Sequence, residues 1–222
     1  VVKILANMKD TLHAMVKFTD EQQHPTMLWL PKKYIVTEKT KNVVGHIDYF
    51  KFSDRPPMEH QKEAINKLLE YDRFILADYM GLGKTTSAVI ASELSNAKKV
   101  LVICPSSLKL NWQKEIEHYD NNTTIISGKK WDSSKKWTIM NYDIIKNFHF
   151  LPTKNKGIVD TKESEILKSN FDLVIIDEAH AIKNTTSKRT KLVMDFAKKI
   201  KRVWLLTGTP VANRPIDFYN LL

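Results

Sequence analysis

Four short and almost wholly apolar runs, separated by stretches with helical periodicity, restrict the fold of this sequence more than any other feature. The runs cover residues 74–77, 100–104, 173–176 and 203–206. Such runs suit parallel strands that are buried on both faces. The helical stripes between and around them are Ala64, Ile65, Leu68 and Leu69; Leu108, Trp112 and Ile116; and Leu192, Val193, Phe196 and Ile200. Strands that alternate with helices predict an α/β fold with a mainly parallel sheet covered by helices on both faces.

The first 52 residues do not show this alternation. Apolar residues at helical spacing, namely Leu5, Met8, Leu12 and Met15, predict a helix there. Residues 27–36 and 43–52 have the composition of strands. We therefore predict a small N-terminal accessory element at 1–52, followed by the main domain at 53–222. The polar, lysine-rich segments 127–136 and 152–162 are predicted to be surface loops or insertions.

The charge balance is compatible with a nucleic-acid partner but does not by itself require one. The chain has 222 residues, enough for one large α/β domain with a sizeable core. Hydrophobic residues make up 42% and charged residues 27%, which argues against a disordered chain. Thirty-five Lys and Arg against 25 Asp and Glu give a net charge of +10, which suits a polyanion such as nucleic acid. A lysine-rich solvated surface explains the same charge equally well.

The single cysteine, Cys104, follows apolar residues that are predicted to form a buried strand. No disulfide framework is possible with one cysteine, so we expect a reducing, intracellular compartment, either the cytoplasm or nucleoid or the nucleus. The apolar runs are too short to span a membrane, and Lys3 and Lys9 interrupt the N-terminal stretch. We therefore expect neither a membrane span nor a signal peptide.

A glycine-rich loop follows the first apolar run and precedes a helix-compatible stretch at 87–94. It reads Asp78-Tyr79-Met80-Gly81-Leu82-Gly83-Lys84-Thr85-Thr86. Gly81 and Gly83 can adopt backbone conformations that turn consecutive amides toward a phosphate. Lys84 can neutralise the β and γ phosphates, and the Thr85 hydroxyl can bind Mg²⁺. The order of strand, loop and helix thus predicts a P-loop, although Asp78 stands where the common Walker A pattern has glycine.

Two adjacent carboxylates, Asp177 and Glu178, directly follow the apolar run at 173–176. Adjacent side chains leave the backbone in different directions, so the two carboxylates suit different tasks. Asp177 can hold a metal ion, partly through its water shell, and Glu178 can orient the water that attacks the γ phosphate. An isolated acidic pair after a strand is more often a solvated helix cap. The upstream glycine-rich loop reverses that preference.

These segments belong to a longer series of motifs. In chain order they are Met58-Glu59-His60-Gln61; the loop 78–85; residues 102–108 with Asn111 and Trp112; residues 140–143; the acidic box 177–180 with Ile182-Lys183-Asn184; and residues 206–210 with Asn213. Over residues 56 to 222 the series resembles the superfamily 2 helicases, and among them the Swi/Snf-type remodelling and repair translocases. Tyr79 departs from the family pattern, in which Glu is usual.

The resemblance implies the N-terminal RecA-like lobe of such a motor, with ATP and Mg²⁺ as its ligands. Lys84, Asp177 and Glu178 would be catalytic, with Thr85 and Asp177 at the metal ion. Gln61 would recognise the adenine edge, and residues 78–86 would hold the phosphates. By the same resemblance, the nucleotide state would be coupled to nucleic acid through His180, Thr207, Gly208 and Thr209.

Loops that leave the strand ends are expected to contact nucleic-acid phosphates. They lie at 105–109 and 141–146, and the candidate contact residues are Ser106, Ser107, Lys109 and Asn141. Contacts of this kind do not recognise bases, so binding should be independent of sequence and sensitive to salt. A second lysine-rich patch around Trp131 and Trp137 is interpreted as a solvated loop whose Trp137 opens the next strand.

The motifs predict a translocase on double-stranded DNA, and three alternatives remain. A strand-separating superfamily 2 DNA or RNA helicase has the same first lobe. A regulatory module without catalysis would not need Lys84, Asp177 and Glu178. A nucleic-acid-binding domain without ATP dependence leaves the glycine-rich loop unexplained. The resemblance also implies a second RecA-like lobe, C-terminal to this chain, that supplies an arginine finger, so we expect the isolated lobe to be nearly inactive.

Overall fold

The computed structural model describes residues 3–6, 13–19, 25–31, 45, 47–151, 153–155, 158–160, 164–182, 184 and 186–208. The chain divides into two compact units, Val1–Lys39 and Thr40–Leu222. Within these described ranges, every helix is too short or too polar to cross a membrane.

The first unit contains a three-stranded antiparallel sheet. Its strands are β1 (Lys3–Ala6), β2 (His13–Thr19) and β3 (Pro25–Pro31), with β2 in the middle. The helix predicted through Leu5, Met8, Leu12 and Met15 is wrong, because Leu5 lies in β1 and Met15 in β2; Met8 and Leu12 lie outside the described residues. The spacing of these four residues fits the helical period by chance, because Leu5 and Met15 belong to separate strands, and antiparallel pairing on both sides of β2 stabilises the sheet instead.

The two strands predicted at 27–36 and 43–52 have different outcomes. Strand β3 overlaps the first of them, and residues 32–36 lie outside the described residues. The second prediction is wrong for the described part, because Phe50–Phe52 forms a single 3₁₀ turn. The Phe50 N–H donates to Asp48 Oδ1 at 2.8 Å, and the Phe52 N–H donates to the Tyr49 carbonyl at 2.9 Å. These local hydrogen bonds replace the cross-strand bonds that a strand needs.

The division between the compact units lies N-terminal to the boundary that the sequence predicts at residue 52. Phe52 is only 3% exposed and belongs to the core of the second unit, with Ile47 and Tyr49 packed against the same cluster. The segment that precedes the predicted boundary therefore contributes to the larger unit.

The second unit alternates strands and helices along the chain. Its strands are β4 (Arg73–Ala77), β5 (Val100–Cys104), β6 (Thr123–Ile125), β7 (Trp137–Asn141), β8 (Thr153–Asn155), β9 (Ile158–Asp160), β10 (Leu173–Ile176) and β11 (Arg202–Thr207). Its helices are α1 (Glu59–Glu70), α2 (Lys84–Leu94), α3 (Lys109–Glu117), α4 (Ile145–Phe148), α5 (Glu165–Lys168) and α6 (Lys188–Ala197). Six strands form one parallel sheet in the order β4-β11-β10-β5-β7-β6.

Side chains alternate across this sheet into two separate cores. In β5, Val100 and Val102 face a cluster that contains residues of α1, α2 and α3. Leu101 and Ile103 face the other cluster, which contains residues of α4, α5 and α6. All of these strand residues are fully buried, and burying one Val, Leu or Ile side chain contributes about 1.5–3 kcal/mol. The predicted parallel sheet with helices on both faces is confirmed.

Most predicted elements of this unit are found, with shifted ends. The four apolar runs form β4, β5, β10 and β11, and the three helical stripes lie on α1, α3 and α6, except that Leu108 precedes α3 and Ile200 follows α6. Residues 127–136 contain neither strand nor helix, as predicted. Within the segment 152–162, the described residues form the short antiparallel pair β8–β9 instead of an irregular loop, because Thr153 to Asn155 pair with Ile158 to Asp160.

Parallel strands place their carboxyl ends at one edge of the sheet. The glycine-rich loop follows β4, the acidic pair follows β10, and the exposed turn at 106–108 follows β5. Asn141 is the last residue of β7, and Thr207 is the last residue of β11. The fold therefore gathers the predicted motif residues along this edge.

Candidate nucleotide-binding site

The glycine-rich loop leads straight into α2. Helix α2 begins at Lys84, before the predicted start at residue 87. Gly81 and Gly83 have φ angles of 85° and 71°, in the left-handed region that glycine adopts without steric cost. Among the described residues no side chain caps the N-terminus of α2, so its first amides are available to an anion.

Lys84 holds the loop closed on itself. Its Nζ donates to the carbonyl oxygens of Asp78 at 2.7 Å and of Tyr79 at 2.8 Å. A phosphate oxygen carries a full negative charge and is a stronger acceptor than a carbonyl. The ammonium is therefore poised to exchange these carbonyls for phosphate.

Gly208, directly after β11, lies against the same loop. A Cβ at this position would be 2.9 Å from Met80 Cγ and 3.8 Å from Lys84 Nζ. Gly208 and Thr207 are buried, and Thr207 pairs in register with Ala77 of β4. The structure thus brings these two residues of the predicted coupling segment to the phosphate loop, and Thr209 lies outside the described residues.

The N-terminal end of α1 contacts the loop from the other side. Gln61 accepts a hydrogen bond from the Met58 N–H at 2.9 Å, and its Nε2 donates to the Gly83 carbonyl at 3.4 Å. His60 Nε2 lies 3.1 Å from the Leu82 carbonyl oxygen. Gln61 therefore lies beside the loop, and its recognition of adenine stays a prediction.

The two threonines after Lys84 have different surroundings. Thr85 is half-buried, whereas the buried Thr86 donates its hydroxyl to Glu115 Oε1 of α3 at 2.5 Å. The Thr86 hydroxyl is therefore engaged with a neighbouring helix, and its backbone N–H at the start of α2 is the group suited to a phosphate.

Asp177 is a buried carboxylate with few partners. Its Oδ2 accepts from Trp112 Nε1 at 2.8 Å, and its Oδ1 accepts from the Glu178 N–H at 2.9 Å. Its backbone carbonyl accepts from the Tyr142 hydroxyl. Burial raises the pKa of Asp177 above its usual value, while the Trp112 and Glu178 hydrogen bonds lower it. A buried carboxylate in this setting is suited to a cation.

The donor set at this edge fits Mg²⁺. Mg²⁺ binds oxygen ligands and commonly uses one or two carboxylates together with substrate phosphates. Asp177 has a carboxylate and Thr85 a hydroxyl that could serve as such ligands. In the part of the chain that the structure describes there is no group of three or more His, Cys, Asp or Glu side chains that could hold a metal by themselves. The substrate's phosphates would therefore complete the coordination.

Glu178 adopts a left-handed backbone conformation, with φ of 49°. That conformation costs a non-glycine residue on the order of 1–2 kcal/mol, so the surrounding structure holds it. Its Oε2 is buried and has no hydrogen-bond donor among the described residues, although His180 Nδ1 lies 3.0 Å away outside hydrogen-bonding geometry. A carboxylate oxygen with free acceptor capacity can orient a water molecule.

The predicted nucleic-acid residues differ in accessibility. Ser106 and Ser107 are exposed on a 3₁₀ turn between β5 and α3. Lys109 begins α3, and its Nζ donates to the Ile126 carbonyl at 3.3 Å. Asn141 is only 7% exposed, which makes its side chain a poorer phosphate ligand than the two serines.

The lysine-rich loop does not offer its tryptophans for base stacking. Trp131 packs on Phe148 with ring centroids 5.0 Å apart, and its Nε1 donates to Ser169 Oγ. Trp137 begins β7, as predicted, and its side chain is fully buried. A cavity of about 620 Å³ near Trp131 is also lined by Lys98 and Asp172, which precede β5 and β10. It therefore lies at the amino edge of the sheet, away from the phosphate loop.

Three residues of the site environment are not identified by sequence reasoning. The sequence places Trp112 only in a helical stripe and in the motif that contains it, and it assigns no role to Tyr142 or Glu115. Trp112 and Asp177 are 65 residues apart in sequence, and Glu115 is 29 residues from Thr86. No local pattern links such pairs, so only the fold reveals them.

A parallel sheet with a glycine-rich loop after one strand and an acidic pair after another defines the class of P-loop nucleotide-binding α/β domains. Within this class, the sequence model of the SNF2-related domain matches residues 60–222. The chain belongs to the SNF2-related domain family. The resemblance to Swi/Snf-type members of superfamily 2 is thereby confirmed.

Several curated proteins are similar to this chain. One is SWI/SNF-related matrix-associated actin-dependent regulator of chromatin subfamily A-like protein 1 of Xenopus laevis, 31% identical over 73% of this chain and 16% of its own length. The DNA annealing helicase and endonuclease ZRANB3 of Bos taurus is 32% identical over 72% and 15%. The uncharacterized ATP-dependent helicase YqhH of Bacillus subtilis is 34% identical over 75% of this chain and 28% of its own length. The chain thus spans less than a third of the length of these relatives.

Solved structures show the same fold. The Sulfolobus solfataricus SWI2/SNF2 ATPase core in complex with dsDNA aligns with a TM-score of 0.54 at 20% identity, over 74% of this chain and 34% of that one. The T4 protein UvsW aligns with a TM-score of 0.61 at 14% identity, over 83% and 39%. The predicted RecA-like fold is confirmed.

Proposed function

We propose that this chain is the ATP-binding first lobe of a DNA-dependent ATPase that translocates on double-stranded DNA. The observation that carries the proposal is the buried Asp177, with the partly buried Glu178 beside it, at the same sheet edge as Lys84 and its loop. Membership of the SNF2-related family supports it. The similar S. solfataricus SWI2/SNF2 ATPase core, which is in complex with double-stranded DNA, supports it as well.

The residues of the loop would bind and orient the nucleotide. Lys84 would leave the carbonyls of Asp78 and Tyr79 and donate to the β and γ phosphates. The Thr85 hydroxyl and the Asp177 carboxylate would hold Mg²⁺, which offsets phosphate charge when it is bound. Gln61 at the loop would accept from and donate to the adenine edge, and so favour ATP over GTP.

Glu178 would act on the attacking water. Its buried Oε2 would accept a hydrogen bond from that water and then take up the proton as the γ phosphate is transferred. Trp112 would keep the neighbouring Asp177 carboxylate in place. His180 beside Glu178, together with Thr207, Gly208 and Thr209, would couple the nucleotide state to the nucleic acid.

Nucleic acid would lie across the carboxyl edge of the sheet. Ser106 and Ser107 are exposed there, and Lys109 follows them. A net charge of +10 favours a polyanion, and contacts to phosphate make binding independent of base sequence. A second lobe from the rest of the protein would supply an arginine finger.

The single Cys104 is buried, and burial raises the pKa of its thiol to about 12, which fits an unreactive thiol in an intracellular protein.

A second candidate function is strand separation by a superfamily 2 helicase. It is favoured by similarity to the B. subtilis ATP-dependent helicase and by the fold shared with the Pyrococcus furiosus Hef helicase domain, which aligns with a TM-score of 0.53 at 19% identity, over 74% of this chain and 36% of that one. Both functions use the same first lobe. The form of nucleic acid that stimulates ATP hydrolysis, duplex or single-stranded, therefore distinguishes them.

The test compares ATP hydrolysis by the full-length protein on blunt duplex and on single-stranded DNA. A strand-displacement assay and a triplex-displacement assay run beside it. We expect stimulation by blunt duplex that falls steeply with added salt, and triplex displacement without strand separation. Stimulation by single strands together with efficient unwinding would instead establish the helicase.

A further inference from the structure

Helix α3 contacts both halves of the nucleotide site. Trp112 donates from Nε1 to Asp177 Oδ2 at 2.8 Å. Glu115 accepts from the Thr86 hydroxyl at 2.5 Å. The two residues are three positions apart and therefore lie on the same face of the helix. One helix face thus links the acidic pair to the phosphate loop.

The Trp112 contact fixes the carboxylate of Asp177. The Trp112 side chain is 1% exposed and Asp177 is 7% exposed, so water does not compete for this hydrogen bond. Hydrogen bonds to charged groups are stronger than neutral ones, and the rigid indole gives this one a defined direction. The orientation of the Asp177 carboxylate therefore depends on the position of α3.

Glu115 has a second partner in addition to Thr86. Glu115 Oε2 accepts from Arg55 Nη1 at 2.9 Å, in the segment before α1. The Glu115 side chain is 15% exposed and the Arg55 side chain 48% exposed, so water screens this pair from the Arg55 side. Glu115 thereby joins Arg55, Thr86 and α3 through two charge-assisted contacts.

The N-terminal end of α3 lies at the carboxyl edge of the sheet, where DNA is proposed to bind. Lys109 is its first residue, and the exposed turn Ser106–Leu108 precedes it without a break. A helix of nine residues is a rod about 13 Å long. A displacement at its first turn therefore moves Trp112 and Glu115 as well.

We propose that Trp112 and Glu115 are positioning residues through which α3 transmits DNA contact at residues 106–109 to the nucleotide site. This inference rests on the proposed function, because it requires a DNA-stimulated ATPase. Neither residue touches the phosphates. Their task is to place Asp177 and Thr86 when the turn before α3 binds DNA.

The experiment measures basal and duplex-stimulated ATP hydrolysis, the KM for ATP and the DNA affinity of the full-length protein. Trp112→Phe keeps the aromatic packing and removes the N–H donor. Glu115→Gln keeps an acceptor oxygen and removes the charge that pairs with Arg55. In both variants we expect the duplex-stimulated kcat to fall about tenfold, the size typical of losing a partner that orients a metal ligand, and the basal kcat to fall less, so that the ratio of stimulated to basal kcat drops. DNA affinity should stay at the wild-type value.

Two control variants make the same chemical changes elsewhere. Trp131→Phe removes an indole N–H that donates to Ser169 at 3.0 Å, at the amino edge of the sheet. Glu93→Gln removes a charge that pairs with Lys136 at 2.6 Å and is buried to a similar degree as Glu115. Both controls should keep the wild-type ratio, and equal losses in the controls would overturn the inference.

The remaining outcomes separate the two proposals. A wild-type protein without any DNA stimulation refutes the proposed function, and this inference falls with it. A stimulated wild type whose Trp112→Phe and Glu115→Gln variants keep the full ratio refutes only the role of α3. If Trp112→Phe does not fold, the Glu115→Gln ratio decides, since that residue lies nearer the surface. A fall in basal and stimulated kcat by equal factors indicates a structural role and also refutes the inference.

Discussion

Gly81 and Gly83 share a loop and a left-handed backbone, but their surroundings differ. At Gly81, where φ is 85°, an added Cβ would have no heavy atom of the described residues within 4 Å. At Gly83, where φ is 71°, the same Cβ would lie 2.2 Å from Gln61 Nε2. The first position tolerates a side chain except for its backbone strain, and the second also requires Gln61 to move.

This difference predicts two phenotypes. Gly81→Ala and Gly83→Ala should each destabilise the loop by about 1–2 kcal/mol, because alanine is strained in the left-handed region. Only Gly83→Ala should displace Gln61 and so reduce the preference for ATP over GTP, by roughly the tenfold that one good hydrogen bond provides. Calorimetric titration of the full-length variants with each nucleotide measures the preference. An equal preference for ATP over GTP in the two variants would show that Gln61 does not recognise adenine.

The identity of the site residues is predictable because their chemistry is carried by local patterns. Lys84 follows a glycine-rich loop, and Asp177 and Glu178 follow a buried strand. Their surroundings are not predictable in this way. The indole of Trp112 also fits an ordinary core stripe, and only the packing of α3 on the sheet turns its N–H toward Asp177.

At the scale of elements, burial decides what the sequence can show. Strands β5 and β10 are buried along their whole length, so their apolar runs match their bounds. Strand β6 has only three half-buried residues at the edge of the sheet and leaves no such run. The strands β1 and β2 escape prediction because the few apolar residues near the N-terminus also fit a helix.

A buried histidine joins three of the elements that cover the sheet. His149 follows α4 and is 1% exposed. Its Nδ1 lies 2.7 Å from Ser164 Oγ before α5, and its Nε2 lies 3.1 Å from Asp195 Oδ2 of α6. Lys199 pairs with the same Asp195 oxygen at 2.7 Å. A neutral imidazole that donates from Nε2 and accepts at Nδ1 satisfies both partners.

Burial lowers the pKa of His149 below its ordinary value of 6.5, against the opposing effect of Asp195. The unfolded chain therefore binds this proton more readily than the folded one, so the contribution of His149 to stability is present above pH 6.5 and is lost as the pH falls below it. We expect the melting temperature of the wild type to fall toward that of His149→Gln between about pH 7.5 and about pH 5.5. Thermal denaturation of the full-length protein checks this.

His118→Gln is the matched control, because His118 is exposed. Its melting temperature should stay parallel to that of the wild type over the same range. A constant difference between wild type and His149→Gln at every pH would show that His149 does not titrate in this way.

At the scale of the whole molecule, the carboxyl and amino edges of the parallel sheet carry different features. The carboxyl edge holds the phosphate loop, the acidic pair and the exposed turn before α3. The amino edge holds the cavity near Trp131, which has no part in the proposed chemistry. The chain spans 15 to 28% of the length of the relatives described above. Full activity is therefore a property to be measured on the full-length protein.

The measurement that tests the proposed function most directly is ATP hydrolysis with and without blunt duplex DNA, in the wild type and in Glu178→Gln. Glutamine keeps the size of the side chain but cannot take a proton from water. We predict that duplex DNA stimulates the wild type, and that Glu178→Gln binds ATP with unchanged affinity while its stimulated rate falls on the order of 100-fold or more. Equal stimulated rates in the two proteins, or a wild type indifferent to duplex DNA, would contradict this function.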